Sequence, residues 1–316
     1  MTPTPTSFAP LPGGVHPVIY ALFGPDGELD RQAMRRQVDI CIAQGAQGVI
    51  TLGLATEVRF LTHRQRRELV EWNAADIAGR VPLGVTIFAE TADAQVAAID
   101  HARLAGAAWV IVQPLPGTDG EAQLVERFSD VLARSSLPAA LQNVPQFLGV
   151  GLSVASIAGL AARHANLVAV KQEVPATETA ELVAAIGDRL QVFSGRGGLE
   201  LIDCHRAGIA GHVPAPEYAD LLMQLWAAMA AGDDNAARHL YARILPIATF
   251  VLQSLESLVV YGKLLFCLRH GLPFHPRPAG PAPTAFGLDA LAGHARHGGI
   301  PLDAAAIAQM KARYAL

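Results

Sequence analysis

The chain has 316 residues, 51% of them hydrophobic, and a formal net charge of -4. That is enough chain to bury one large α/β domain or two ordinary ones. It carries no basic block and no aromatic-interleaved Lys/Arg patch, so the electrostatic footprint of a nucleic-acid binder is missing and a small-molecule role is favoured.

Residues 1–13, rich in Pro and Thr, read as a flexible arm. The first dozen carry neither a positive start nor an apolar run, and no stretch approaches eighteen uninterrupted apolar residues, so neither a secretion signal nor a membrane span is expected. Short apolar runs then alternate with longer amphipathic segments. The strand VHPVIYALF precedes the helix LDRQAMRRQVDICIAQG. GVITLG precedes THRQRRELVEWNAADIAG, and PLGVTIFA precedes TADAQVAAIDHARLAGA. WVIVQP leads to GEAQLVERFSDVLARSS, PAALQNV to SVASIAGLAARHA, and LVAVKQE to TETAELVAAIGD. LQVFSG is followed by GLELIDCHRAG, and GIAGHVPA closes the series.

Strands that are apolar on both faces, each returning through a helix, must be parallel and covered. Eight of them fit a closed (β/α)8 TIM barrel, assigned to residues 14–225. An open doubly wound sheet would carry a glycine-rich phosphate loop after its first strand, and that position holds only the turn GPDGELD.

Residues 226–316 form the C-terminal helical region. The pattern turns purely helical from about residue 218, with YADLLMQLWAAMAAGD and then the long run NAARHLYARILPIATFVLQSLESLVVYGKLLFCLRHG. The Pro-rich connector LPFHPRPAGPAPTAFG and two short helices follow. This region is more apolar than a barrel flank requires, which points to an oligomer interface. Cys41, Cys204 and Cys267 are far apart, odd in number and set in apolar segments, so they read as reduced core cysteines of a cytoplasmic protein.

Function in such a barrel sits at the carboxyl ends of the strands. Lys171 closes the sixth, in a chain that has three lysines against twenty-one arginines. A strand-end lysine that snorkels to the rim carries no chemistry. An ammonium held among Val, Ala and Leu, however, loses hydration, and the usual response is a pKa lowered by up to ~3 to 5 units. A neutral amine in a pocket attacks ketones, and the resulting imine is an electron sink that permits C–C cleavage or loss of a β-hydroxyl.

Glu173, two residues on, faces the same side of the strand, as an acid, a base or a structural partner of the lysine. Arg59 and Arg196, on loops after the second and seventh strands, are either bidentate carboxylate clamps or solvated loop residues. His212 ends the eighth strand as a possible proton donor. If Val213 is the inward, substrate-facing residue, alternation turns His212 away from the barrel. The histidines are dispersed and paired-cysteine spacing is absent, so no metal is implied.

The motifs LGLATEVRFLT (52–62), LQNVP (141–145), VKQEVP (170–175), FSGRGG (193–198) and GIAG (208–211) recur in order. Together, over roughly residues 14–300, they resemble the dihydrodipicolinate synthase / N-acetylneuraminate lyase family of pyruvate-type class I lyases. The resemblance implies a (β/α)8 barrel with C-terminal helices and a homo-oligomer, a dimer or tetramer. It also implies a small-molecule 2-oxo acid substrate, no nucleic-acid or membrane partner, and no cofactor beyond the covalent imine on Lys171.

Lys171 falls on the family's Schiff-base lysine. The family's GTTGE loop, which holds the substrate carboxylate, reads here Gly53, Leu54, Ala55, Thr56, Glu57. Its backbone donors persist, and only Thr56 offers a hydroxyl. The family's proton-relay tyrosine is Gln142, and an amide cannot shuttle a proton near neutral pH. The paired tyrosines after the fourth strand are replaced by Gln113, Pro114, Leu115 and Pro116, and the synthases' arginine falls at Phe147. These departures argue against dihydrodipicolinate synthesis itself.

Gln142 and the K-x-E-x-P pattern look more like the L-2-keto-3-deoxyarabonate dehydratase branch. The expected activity is a Schiff-base lyase of 2-oxo acids that dehydrates a 2-keto-3-deoxy sugar acid. Lys171 forms the imine, Gln142 and Glu173 complete the catalytic set, and Gly53, Ala55, Thr56, Arg196 and Val213 hold substrate. The alternative is an aldolase or hydratase-aldolase acting on a bulkier aldehyde, since Leu54, Leu115, Pro116 and Phe147 make the mouth less polar than a sugar site. A barrel that has lost catalysis and only binds 2-oxo acids is the reading from another class.

Overall fold

In the computed structural model, which describes residues 8–314, eight parallel strands form one sheet in the order β1-β8-β7-β6-β5-β4-β3-β2. They are β1 (Gly14–Val15), β2 (Val49–Thr51), β3 (Leu83–Ile87), β4 (Trp109–Val112), β5 (Ala139–Asn143), β6 (Leu167–Gln172), β7 (Gln191–Ser194) and β8 (Gly211–His212). The chain beyond β1 closes the barrel. Ile50 N–H donates to Pro17 O and Ile19 N–H to Ile50 O, both at 2.9 Å. Pro17 has no N–H to give, which is why the regular ladder of β1 is short and resumes as an isolated bridge from Val18 to Ile50.

The strands are buried on both faces because helices cover the outside and side chains fill the inside. His16, Trp109 and Phe193 plug the amino end, with the His16 ring edge-on to Phe193 at 5.5 Å. Burial pushes the His16 imidazole down to about 4, so it packs as a neutral ring. Gly84 is required beside this plug, since a Cβ there would lie 2.9 Å from the Trp109 ring.

Helix termini follow the local chemistry. Asp30 accepts from Gln32 N and Ala33 N to start Arg31–Ala43. Thr62 and Gln65 form a capping box for His63–Ile77. Gly106, in the left-handed region, ends Ala92–Ala105.

Of the arm expected over residues 1–13, residues 1–7 lie outside the described residues. Leu11 is buried, and both its backbone polar groups bond the Gln191 amide, so the tethered chain already begins there. The division drawn at residue 225 falls inside the helix Ala219–Ala230, whose Leu221, Leu222, Met223 and Leu225 are buried.

The long run at 235–271 is not one helix. Asp234–Val251 stops at Leu252, and the chain restarts at Leu255 with a bend of 110°. Ser254 makes the break by capping Ser257 N. A π-turn, Leu258–Gly262, then leads into Lys263–His270. No single helix among the described residues is long and apolar enough to cross a membrane. The helices Ala285–His297 and Ala304–Arg313 complete the region.

Candidate active site

The register of β5 against β6 sets Gln142 beside Lys171 and Asn143 beside Gln172. Glu173 lies one residue past β6, where its N–H continues the ladder to Asn143 O at 2.9 Å. Alternation along the strand then brings Lys171 and Glu173 to the same face. Lys171 Nζ donates to Glu173 Oε1 at 2.8 Å, with both side chains more than nine-tenths buried.

Gln142 Nε2 donates to that same oxygen at 2.7 Å, and Gln113 Nε2 donates to Gln142 Oε1 at 2.7 Å. Gln113 thus fixes which way the Gln142 amide points. The apolar strand is therefore only half of the lysine's environment, because Glu173 supplies a counter-charge that strand composition does not reveal.

Gly195 makes the close pairing possible. A Cβ there would lie 2.6 Å from Glu173 Cγ and 2.7 Å from Lys171 Cε. Gly195→Ala is expected to cut turnover by about 100-fold, because a displacement of about an ångström at reacting groups costs that much. The accompanying overpacking should cost about 1–3 kcal/mol. Steady-state kinetics beside thermal melting measures both, and activity within threefold of wild type would show that the pair has room to move.

Above the pair opens a cavity bordered by Lys171, Glu173, Arg196 and Glu217, with Val18, Leu54, Ala55, Phe147, Val213, Ala215, Leu252, Leu255 and Leu258 as its apolar wall. The bend at 252–254 delivers three of those leucines to the barrel mouth. Ala55 and Val213 border the cavity as expected. Among the described residues, neither Leu54 N–H nor Ala55 N–H donates to a backbone acceptor, which leaves a pair of amides at this turn. Arg196 also borders the cavity, with Nη2 donating to Glu200 Oε1 at 3.2 Å, so part of its fork is already engaged.

Other expectations are corrected. The Thr56 hydroxyl donates to Ile19 O at 2.6 Å, and the residue is buried away from the cavity, so it ties the loop to the chain after β1. Gly53 serves the same seam, since a Cβ there would lie 2.5 Å from Val18 Cγ1. Arg59 lies over the Phe88 ring at 5.8 Å and does not border the cavity. Leu115 and Pro116 line a separate depression with Arg59 and Phe88. His212, by contrast, is turned from the cavity as its alternation with Val213 implies, and donates from Nδ1 to Ser194 O at 3.0 Å. Burial holds it down to about 3, with Lys171 adding to the effect, so it stays neutral.

One group escapes the sequence reading. Glu217 is buried on the cavity wall and its Oε2 accepts the Tyr20 hydroxyl at 2.7 Å. Burial pushes its carboxyl up to about 7 against the opposing pull of that hydrogen bond. Its sequence setting, APEYAD, looks like an ordinary surface helix start.

Fold and site together define a class: a (β/α)8 barrel enzyme with its ionisable groups gathered at the carboxyl ends of the strands. More narrowly, the chain belongs to the dihydrodipicolinate synthetase family, whose model matches residues 11–278. It is 27% identical over 290 residues to the L-2-keto-3-deoxyarabonate dehydratase of Azospirillum brasilense, covering 86% of this chain and 91% of that one. It is 34% identical over 188 residues to the 4-hydroxy-tetrahydrodipicolinate synthase of Xanthomonas campestris, covering 58% of this chain and 62% of the relative.

The match to YjhH of Escherichia coli K12, which carries the name of a 2-dehydro-3-deoxy-D-pentonate aldolase, is 28% identical over 51% of this chain and spans only 54% of that protein. Among solved structures, YagE of Escherichia coli K12, in complex with pyruvate, superposes at a TM-score of 0.85 with 21% identity over 92% of this chain and 99% of that one, a likeness of fold.

Proposed function

We propose that the chain is a Schiff-base lyase of 2-oxo acids whose reaction is dehydration of a 2-keto-3-deoxy sugar acid. The observation that carries this reading is the buried Lys171–Glu173 pair with Gln142 on the same carboxylate oxygen. A lysine and a carboxylate in hydrogen-bond contact can share one proton, so Glu173 accepts it as the amine attacks the substrate's C2 carbonyl. Glu173 then hands that proton to the carbinolamine hydroxyl, which leaves as water to give the imine and restores the carboxylate, and no cofactor is needed.

The imine acidifies C3, and Glu173, beside the lysine, is the group placed to take that proton. Gln142 cannot carry a proton, but it holds Glu173 in place. The Leu54 and Ala55 amides suit the substrate carboxylate, and Arg196 suits its distal end.

A second reading, aldol cleavage to pyruvate and an apolar aldehyde, is favoured by one observation. Leu54, Phe147, Leu252, Leu255 and Leu258 give the cavity a largely apolar wall.

The test is to incubate the protein with pyruvate, 2-keto-3-deoxy pentonates and longer 4-hydroxy-2-oxo acids, reduce with borohydride, and map the adduct by mass while following products. An adduct on Lys171 with a semialdehyde product is the expected result. Release of pyruvate would move the assignment to the aldolase, and absence of any adduct would leave a binding barrel.

A further inference from the structure

Four ionisable residues border the cavity, and three have charged partners. Lys171 and Glu173 hold each other, and Arg196 is engaged by Glu200. Glu217 has no such partner. Its Oε2 takes the Tyr20 hydroxyl, and among the described residues no other side chain donates to its Oε1. The remaining charged and titratable groups around it are Arg269, which donates to the Glu217 carbonyl and pairs with Asp220, and Tyr218 next in sequence. Gly262 closes against it from the π-turn, where a Cβ would lie 3.5 Å from the carboxyl carbon. A carboxyl group that shares its cavity with Val18, Ala215 and Leu258 and is held by one phenol serves no structural ion pair.

We propose that Glu217 is a second catalytic residue of this cavity, the acid that protonates the departing hydroxyl while Glu173 removes the C3 proton. The inference rests on the dehydratase reading above and divides its labour between two carboxyls. Glu173 takes the C3 proton, and that bonding pair moves into C2–C3 to give the enamine. The enamine pair then forms C3=C4 as the nitrogen restores its C=N bond. The C4–O bond breaks with its electrons on oxygen, Glu217 gives that oxygen its proton, and water leaves. Glu217 is now a carboxylate and regains a proton from solvent, and Glu173 releases the C3 proton to solvent. Water hydrolyses the imine to free Lys171, and the released 3,4-unsaturated 2-oxo acid tautomerises to the semialdehyde.

An acid must be protonated to act, so dehydration should fall as pH rises through its titration, which burial has moved to about 7. The Tyr20 hydrogen bond favours the carboxylate, so its removal should move the alkaline limb to higher pH.

The test compares wild type, Glu217→Gln and Tyr20→Phe. Each is assayed for borohydride-trapped adduct with pyruvate, for C3 hydrogen exchange of pyruvate in D2O, and for dehydration of 2-keto-3-deoxy pentonates against pH. We expect Glu217→Gln to keep adduct formation and exchange within about twofold, to lose dehydration by about 10²–10⁴-fold, and to lose the alkaline limb. Tyr20→Phe should retain activity with the limb shifted upward. Dehydration by Glu217→Gln within threefold of wild type, or loss of adduct and dehydration together, overturns the assignment, as does an unmoved limb in Tyr20→Phe. A wild type that forms adducts but dehydrates nothing overturns the reading beneath it.

Discussion

Lys171→Ala is expected to leave no reducible adduct with any 2-oxo acid and to lower turnover by at least about 10⁴-fold, the scale on which removal of a covalent nucleophile is felt. Its effect on stability has the same origin. Glu173, 5% exposed, would keep only the Gln142 amide, and stranding one member of a buried pair costs about 3–5 kcal/mol. The double variant Lys171→Ala/Glu173→Gln should recover much of that loss while staying inactive. Intact mass after borohydride, kinetics and thermal melting check the three statements. A Lys171→Ala protein that melts with wild type would refute the cost of leaving Glu173 without its partner.

Glu57→Gln is expected to be the most destabilising of the conservative changes. Glu57 Oε1 accepts from Lys263, which is 1% exposed, and its Oε2 accepts from Arg277 Nε at 3.0 Å. Without the carboxylate two cations face each other, one fully buried over the Phe23 ring, at a cost of about 3–5 kcal/mol. For a chain of this size that lowers Tm by on the order of 10 °C. Lys311, paired with Asp289 at the surface, is the contrast, and Lys311→Ala should cost less than about 1 kcal/mol. Differential scanning of both variants decides it, and equal shifts would refute the distinction.

The barrel was legible because its strands are apolar on both faces and each is followed by a capped helix. That Lys171 and Glu173 share a strand face was legible because a period of two depends on local sequence alone, and the order of the motifs set Gln142 near them. What stayed hidden is non-local. The Thr56 hydroxyl looks available until the Ile19 carbonyl, 37 residues earlier, claims it. Glu217 becomes a buried acid only through Tyr20, 197 residues away, and a fold that walls it with apolar side chains. The bend at 252–254 is masked because apolar residues recur at helical spacing on both sides of Ser254, as at Val251, Leu255 and Leu258, so that a serine cap there reads as an ordinary helical residue.

The segment from Leu252 to Lys263 does two jobs at once. Leu252, Leu255 and Leu258 border the cavity proposed to hold the substrate, and Lys263, one turn further, locks the loop after β2 to the C-terminal helices. Substrate range and thermal robustness are thus written in the same dozen residues. Divergence toward new substrates must work around that constraint, recolouring leucines one at a time while the lysine stays put. Selection for a looser pocket here would draw down stability directly, a trade-off that folds with separate specificity loops escape.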